Sequence, residues 1–409
     1  MPRPGQVKSS GERLSDRIAL GVLTRVFPPW LVDEVVVECG RVEQRSRLLP
    51  ARAVVYFVLA MCLFSGQGYE EVARLLTQGL ERVQRWEKPW RVPTTAAIGR
   101  ARRRLGPQPL KVLFDRVCGP VATEETAGAW YRRWRLVAVD GTVFDVPDTE
   151  ANGAFFGRPG SGRGQRRSAY PQVRVAALVE CGTHAVFAAA TGPLSVHEHH
   201  LIPGLLARLR PGMLVMADRG ITGFGLWQAA SGTGADLLWR VRKNVVLPVL
   251  EHLGDGSYLS QIAATGDRAR RELVTVRVIE YTLGTDDDTV YRLITTVCDV
   301  DQAPAAELAA LYHQRWEIEN TLDEIKTHQG GRQLVLRSQY PDGVEQEIYG
   351  FLLVHHALRE VMHDTAHRAG LDPDRISFTR TLNAARRHVT GQAALSPLTA
   401  EAGPHSHQP

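Results

Sequence analysis

The spacing of apolar residues changes three times along this chain. From about residue 14 to 122, apolar positions recur every three or four residues, which is the period of a helix with one buried stripe. It predicts helices over 16–26, 29–39, 50–64, 69–76, 95–105 and 111–117. Pro93-Thr94-Thr95 is a good helix start before the fifth of these. The period then shortens to the alternation and short apolar runs of strands. Strands are predicted at 136–140, 173–179, 185–190, 213–217 and 236–241, with helices at 199–209 and 224–230 between them. The second and third strands, separated by Cys181-Gly182-Thr183, read as part of an antiparallel meander. Strands alternating with helices imply an α/β layer structure. Residues 242–299 are mostly β, with strands predicted at 245–250, 273–283 and 289–299. Helices return at 312–326, 344–367 and 379–390.

This pattern divides the chain into five parts. They are a disordered tail at 1–15, a helical domain at 16–125, an α/β core at 130–241 and 300–370, a β-rich insertion at 242–299, and a C-terminal helix and tail at 371–409. Two or three domains are the default for 409 residues. Composition changes this picture little: 44% hydrophobic and 23% charged residues describe an ordinary globular protein. The formal charge of +5 permits a nucleic-acid partner without requiring one. The longest apolar run, 53–64, is too short to span a bilayer, so no membrane partner is expected. Cys39, Cys62, Cys118, Cys181 and Cys298 are scattered and form no Cys-x-x-Cys pair, which argues for a reducing compartment. A cytoplasmic protein is expected, associated with the nucleoid if it binds DNA.

The candidate chemistry lies on the 312–326 segment, which has no Gly or Pro inside it. At about 100° per residue, Tyr312, Arg315, Glu319 and Lys326 fall within a sector of roughly 60°. Leu311, Ile318, Leu322 and Ile325 form an adjacent apolar stripe. One stripe can dock while the other lines a cleft. Two more carboxylates, Asp140 and Asp218, end apolar strands. Each has an ordinary alternative: Asp140-Gly141 as a turn, Asp218-Arg219-Gly220 as a strand exit, and Glu319 as a solvated helix residue whose face Asp323 shares. Together they offer hard oxygen ligands suited to Mg²⁺ or Mn²⁺, and a pair of ions would serve in-line displacement at phosphorus.

The segments 137–142 and 216–220 and the 312–326 helix together resemble the DDE transposases of the insertion-sequence-four family. The family's Tyr-(2)-Arg-(3)-Glu-(6)-Lys signature is met by Tyr312, Arg315, Glu319 and Lys326. The resemblance spans roughly residues 15–360. It implies an RNase H-like core and metal-dependent DNA cleavage and strand transfer at terminal inverted repeats. It makes Asp140, Asp218 and Glu319 the catalytic metal ligands. Tyr312, Arg315 and Lys326 would hold phosphates, as planar and point cations do. Tyr291 stands where related enzymes carry a Trp that stacks on a flipped base, and any base can stack on a Tyr. The implied partners are double-stranded DNA, as transposon ends and target, and a second copy of the chain in a DNA-bound homodimer.

Two further basic stretches fit that partner. Arg163 and Arg166 lie in a Gly-rich loop that lacks a P-loop's Lys-Ser/Thr ending, so it is read as ordering on DNA phosphates and not as a nucleotide site. Arg102 and Arg103 lie on the 95–105 helix, which with 69–76 could form a helix-turn-helix-like pair facing DNA. A catalytically inactive DNA-binding derivative, and an RNase H-like nuclease without strand transfer, stay open as alternatives.

Overall fold

The structure, a computed structural model, describes residues 21–44, 49–83, 92–159, 170–221, 223–264, 272–282, 290–313, 316–331 and 333–392. Arg163, Arg166, Arg315 and the 1–15 tail lie outside the described residues. Among the described residues six helices come first: α1 (Val22–Val26), α2 (Pro29–Glu38), α3 (Ala51–Leu63), α4 (Tyr69–Val83), α5 (Thr95–Leu105) and α6 (Gln108–Val117). The α5 start is the expected one, for the Thr94 side chain accepts from the Ala97 amide at 3.3 Å. Helix α3 is apolar on all sides, and the fold buries it accordingly.

The sheet then begins with β1 (Trp130–Tyr131) and β2 (Trp134–Asp145), followed by α7 (Glu150–Phe156), β3 (Gln172–Glu180) and β4 (Val186–Pro193). Next come α8 (Glu198–Leu201), a 3₁₀ turn (Ile202–Arg208), β5 (Met213–Ala217), α9 (Phe224–Ser231) and β6 (Asp236–Arg240). The β-rich stretch supplies β7 (Glu251–His252), β8 (Tyr258–Ala263), β9 (Leu273–Thr282) and β10 (Val290–Thr295). The chain returns through α10 (Ala305–Tyr312), α11 (Trp316–Asp323), a π-helical stretch (Glu324–Gln329), α12 (Pro341–Ala369) and α13 (Phe378–Gln392).

All the strands join one sheet in the order β4-β3-β2-β5-β6-β10-β9-β8-β7, with β1 beside β2. Strands β2, β5 and β6 are parallel, and the antiparallel β2-β3-β4 meander flanks them. This is an RNase H-like α/β arrangement, which β10 extends by pairing antiparallel with β6. Strand alternation sorts the side chains between the two faces. Leu136, Ala138, Leu214 and Met216 face the helices of one layer, in a cluster that also holds α3, α11 and α12 residues. Val137, Val139, Val215 and Ala217 face the other, with Trp227 of α9 and Leu205 of the 3₁₀ turn. Helix α12 packs on α3 and α6 as well as on β4, so the N-terminal helices share the first apolar cluster with the sheet.

Four local expectations need correction. Strand β2 does not end at Asp140; it runs on to Asp145 and pairs residue by residue with β3, so Asp140-Gly141 is not a turn. Residues 245–250 form no strand. Pro248 removes a ladder donor and Val246 is 82% exposed, while the missed strand β8 does the pairing instead. The helix expected over 199–209 becomes a four-residue helix and a 3₁₀ turn, because Pro203 and Gly204 lie inside it. The 312–326 segment is not one uniform α-helix: it ends α10, forms α11, and widens into the π-helical stretch.

Candidate active site

In the parallel β2–β5 pair, Val139 lies opposite Ala217. The next residue on each strand is an aspartate, so Asp140 and Asp218 stand side by side on strands about 4.8 Å apart. Alternation turns both toward the layer that contains α11, since Ala138 and Met216 already face it. Asp140 Oδ1 accepts the Gly141 amide at 2.7 Å, and Asp218 Oδ1 accepts the Arg219 amide at 2.6 Å. Both carboxylates are half-buried.

The third carboxylate arrives on a helix held to both aspartate strands. Ile318, Leu322 and Ile325 bury the apolar stripe of the segment. At one end the Tyr312 hydroxyl donates to the Ala217 carbonyl at 3.1 Å, one residue before Asp218. At the other, Lys326 Nζ donates to Thr142 Oγ1 at 3.3 Å, two residues after Asp140. Glu319 lies between these ties and is exposed. Among the described residues, no three His, Cys, Asp or Glu side chains gather closely enough to hold an ion. Register therefore makes Asp140 and Asp218 neighbours, and α11 carries Glu319 over the same face. The donor chemistry fits a hard divalent cation: two neighbouring carboxylates, with a third on a docked helix.

A cation adjoins Asp218, and an aromatic ring packs against that cation. Arg240, at the end of β6, places its NH1 4.0 Å from Asp218 Oδ1 and its guanidinium carbon 4.4 Å from the Tyr291 ring centre. Tyr291 stacks on Tyr281 at 5.5 Å, and Tyr281 meets His313 edge-on at 5.9 Å. Sequence reasoning passed over Arg240. Its only local signal was a cation ending a strand next to the Asp218 strand.

Glu198 was also missed. Its carboxylate lies against Gly141 and Gly220, the glycines that follow the two aspartate positions. It approaches from the opposite face of β2, and Arg174 NH1 is 4.0 Å from its Oε2.

Two family models match the chain. One, described as insertion element 4 transposase N-terminal, covers residues 17–115; the other, a transposase DDE domain, covers residues 133–355 and so more than half of the sequence. The chain belongs to the DDE transposases of the insertion element 4 family. It is 29% identical over 386 residues to the Escherichia coli K12 transposase InsG for insertion sequence element IS4, covering 90% of this chain and 83% of that one. It is 24% identical over 209 residues to the putative transposase InsZ of the same organism, covering 51% and 67%. A cryo-EM structure of the piggyBac transposase synaptic complex with hairpin DNA is similar at 11% identity and a TM-score of 0.48, covering 93% of this chain and 82% of that one.

This transposase is thus a DNA-cleaving enzyme of a family that binds DNA and works with divalent metal ions. Among its described residues no helix is long and apolar enough to cross a membrane.

Two of the residues expected to meet DNA are instead turned inward. Arg102 is 2% exposed and donates to Gln346 Oε1 (2.7 Å), the Tyr69 hydroxyl (2.6 Å), Ser338 Oγ (2.8 Å) and the Gly343 carbonyl (3.1 Å). A guanidinium so enclosed ties α5 to α4 and α12 and cannot reach a phosphate. Tyr312 is 6% exposed, and its hydroxyl bond to the Ala217 carbonyl ties the end of α10 to β5. Arg103 remains exposed. It lies 4.5 Å over the Tyr340 ring and lines a cleft of about 510 Å³ with Arg337.

Proposed function

We propose that this transposase cuts and joins DNA at the terminal inverted repeats of its own element, using Asp140, Asp218 and Glu319 to hold divalent metal, Mg²⁺ or Mn²⁺, as a pair of ions. The observation that carries the reading is the β2–β5 register, which makes Asp140 and Asp218 neighbours on the face where the Glu319 helix docks. Bound there, the metal would promote deprotonation of the attacking oxygen and offset charge on the leaving one. The chain's own residues prepare that step. Tyr312 and Lys326 fix the helix to both aspartate strands. Lys326, and Arg315 by the family signature, supply cations for the phosphates of the DNA end. Tyr291, stacked between Arg240 and Tyr281, would take an unpaired base by exchanging one of those contacts for it. Arg103, with Arg163 and Arg166, supplies further phosphate contacts. Two ends must be joined, so the reading includes a homodimer assembled on DNA and acting on the cytoplasmic nucleoid.

The test uses a labelled duplex made from the terminal sequence flanking the gene, with Mg²⁺. Asp140→Asn, Asp218→Asn and Glu319→Gln should each bind the end yet cleave it about 10⁴-fold more slowly, the scale of losing one member of a catalytic unit. Unchanged cleavage by any one of them defeats the triad. Cleavage without joining would select the nuclease alternative.

A further inference from the structure

The π-helical stretch at the end of α11 lies over a buried charge cluster that the proposed chemistry does not use. Glu324, its first residue, forms an ion pair with Arg359 NH2 through Oε1. Its Oε2 accepts from Arg359 Nε and from His355 Nε2, each at 3.1 Å. Arg359 also donates to His184 Nδ1 at 2.5 Å, and His184 Nε2 is 3.5 Å from Asp374 Oδ1. Side-chain exposure is 13% at Glu324, 2% at Arg359 and 0% at His355. Burial works against the Glu324 charge. The hydrogen bond from His355 and the paired Arg359 guanidinium outweigh it and hold the carboxyl well below its usual range.

The position of this pair suggests more than stability. Replacing a buried ion pair with apolar residues is often neutral or stabilising, so such a pair is weak evidence of stability by itself. Single π turns inside α-helices are frequently found at functional sites. This one starts five residues after Glu319 and contains Lys326. Its far end is fixed as well: Gly330 N donates to the Ile325 carbonyl five residues back, at 3.0 Å, and Gln329 Nε2 donates to the Phe351 carbonyl at 3.1 Å. A wider turn rotates everything beyond it relative to Glu319. In that setting Lys326 reaches Thr142 on the Asp140 strand.

We infer that Glu324 is a positioning residue of the transposase: held by Arg359 and His355 of α12, it fixes the π turn and with it the relative aim of Glu319 and Lys326 at the aspartate pair. The inference rests on the proposed triad and is tested apart from it. The variants are the double substitution Glu324→Leu with Arg359→Leu, and the single Glu324→Gln, in the full-length protein on the labelled end duplex. Glu319→Gln, run alongside, reports on the triad itself.

The double variant should stay folded at the assay temperature and keep its end binding, since apolar groups replace the pair, although His355 and His184 each lose a partner and lower its melting temperature somewhat. Its single-turnover cleavage at saturating DNA should fall by about 10- to 100-fold, the scale of a misplaced catalytic group. Glu324→Gln, which keeps the shape and an acceptor oxygen, should fall less, and it gives the same reading if the double variant is too unstable. Wild-type cleavage by the double variant would overturn the inference. So would loss of end binding and stability in step with cleavage in both variants, because the cluster would then only hold the fold together. A Glu319→Gln enzyme that cleaves normally would instead sink the triad.

Discussion

Gly141 has ordinary strand φ/ψ, so backbone freedom does not explain the absence of a side chain. The space its Cβ would fill is taken by the Glu198 carboxylate. Gly141→Ala should therefore displace Glu198, cost about 1–2 kcal/mol in urea unfolding, and slow cleavage by shifting Asp140. Adding Glu198→Ala should restore the stability, and a double variant no more stable than the single would show that the clash is not the cause. Arg102 makes the contrasting case. Truncating it leaves Gln346, Ser338 and a carbonyl without their buried donor, so Arg102→Met should destabilise by about 3 kcal/mol. Arg103→Ala should leave stability within about 0.5 kcal/mol, as surface changes do. At this scale the neighbouring placement of Asp140 and Asp218 was legible because an apolar run leading into aspartate is a local pattern, even though β2 continues past Asp140. Glu198 and Arg102 were not. Glu198 matters through contacts with Gly141 and Gly220, and Arg102 is a charged residue in the interior, where unpaired charges do not persist.

The helix that carries Glu319 shows where periodicity stops being informative. Counting 100° per residue correctly gave the buried stripe of Ile318, Leu322 and Ile325, because it reports which side chains leave water. It could not show the change of period at Glu324, since nothing in residues 324–329 forbids an α-helix. The cause is tertiary: Arg359 and His355 lie more than thirty positions away on α12. Gly330 closes the turn because a Cβ there would collide with Leu334 and lie 2.8 Å from the Lys326 carbonyl. Gly330→Ala should then cost about 2 kcal/mol and break the contact between Lys326 and Thr142. Lys326→Met tests that contact without touching the turn. If Gly330→Ala slows cleavage as much as Lys326→Met at equal end binding, the turn acts through Lys326. If it lowers only the melting temperature, the turn is structural.

At the scale of the molecule, α12 is the common support. It contacts α3, α6 and α13 as well as β4 and the π-helical stretch, so the N-terminal helices and the site share one core. Its histidines include His355, His356 and His363, which are buried and are held below the usual histidine pKa, chiefly by that burial. For His356, burial and then its neighbour His355 bring the value to about 4, from 6.5. A base whose pKa is lower in the folded state takes up its proton more readily when unfolded. Stability is then full above about pH 6.5 and falls as the pH drops toward 4. At 1.36 kcal/mol per unit, His356 alone should withdraw about 2 kcal/mol between pH 7 and pH 5. His355 and His363 act in the same direction, whereas the raised carboxyls of Glu345 and Glu360 on the same helix act against them. Comparing variants isolates one group from that sum. Urea unfolding of wild type and His356→Leu at both pH values should show the wild-type loss shrinking by about 2 kcal/mol in the variant. An equal loss in both would remove His356 as the titrating group. Because α12 anchors both the Arg102 network and the Glu324 cluster, acid should melt the N-terminal helices and the site together. Circular dichroism and end cleavage should therefore decline over the same pH interval.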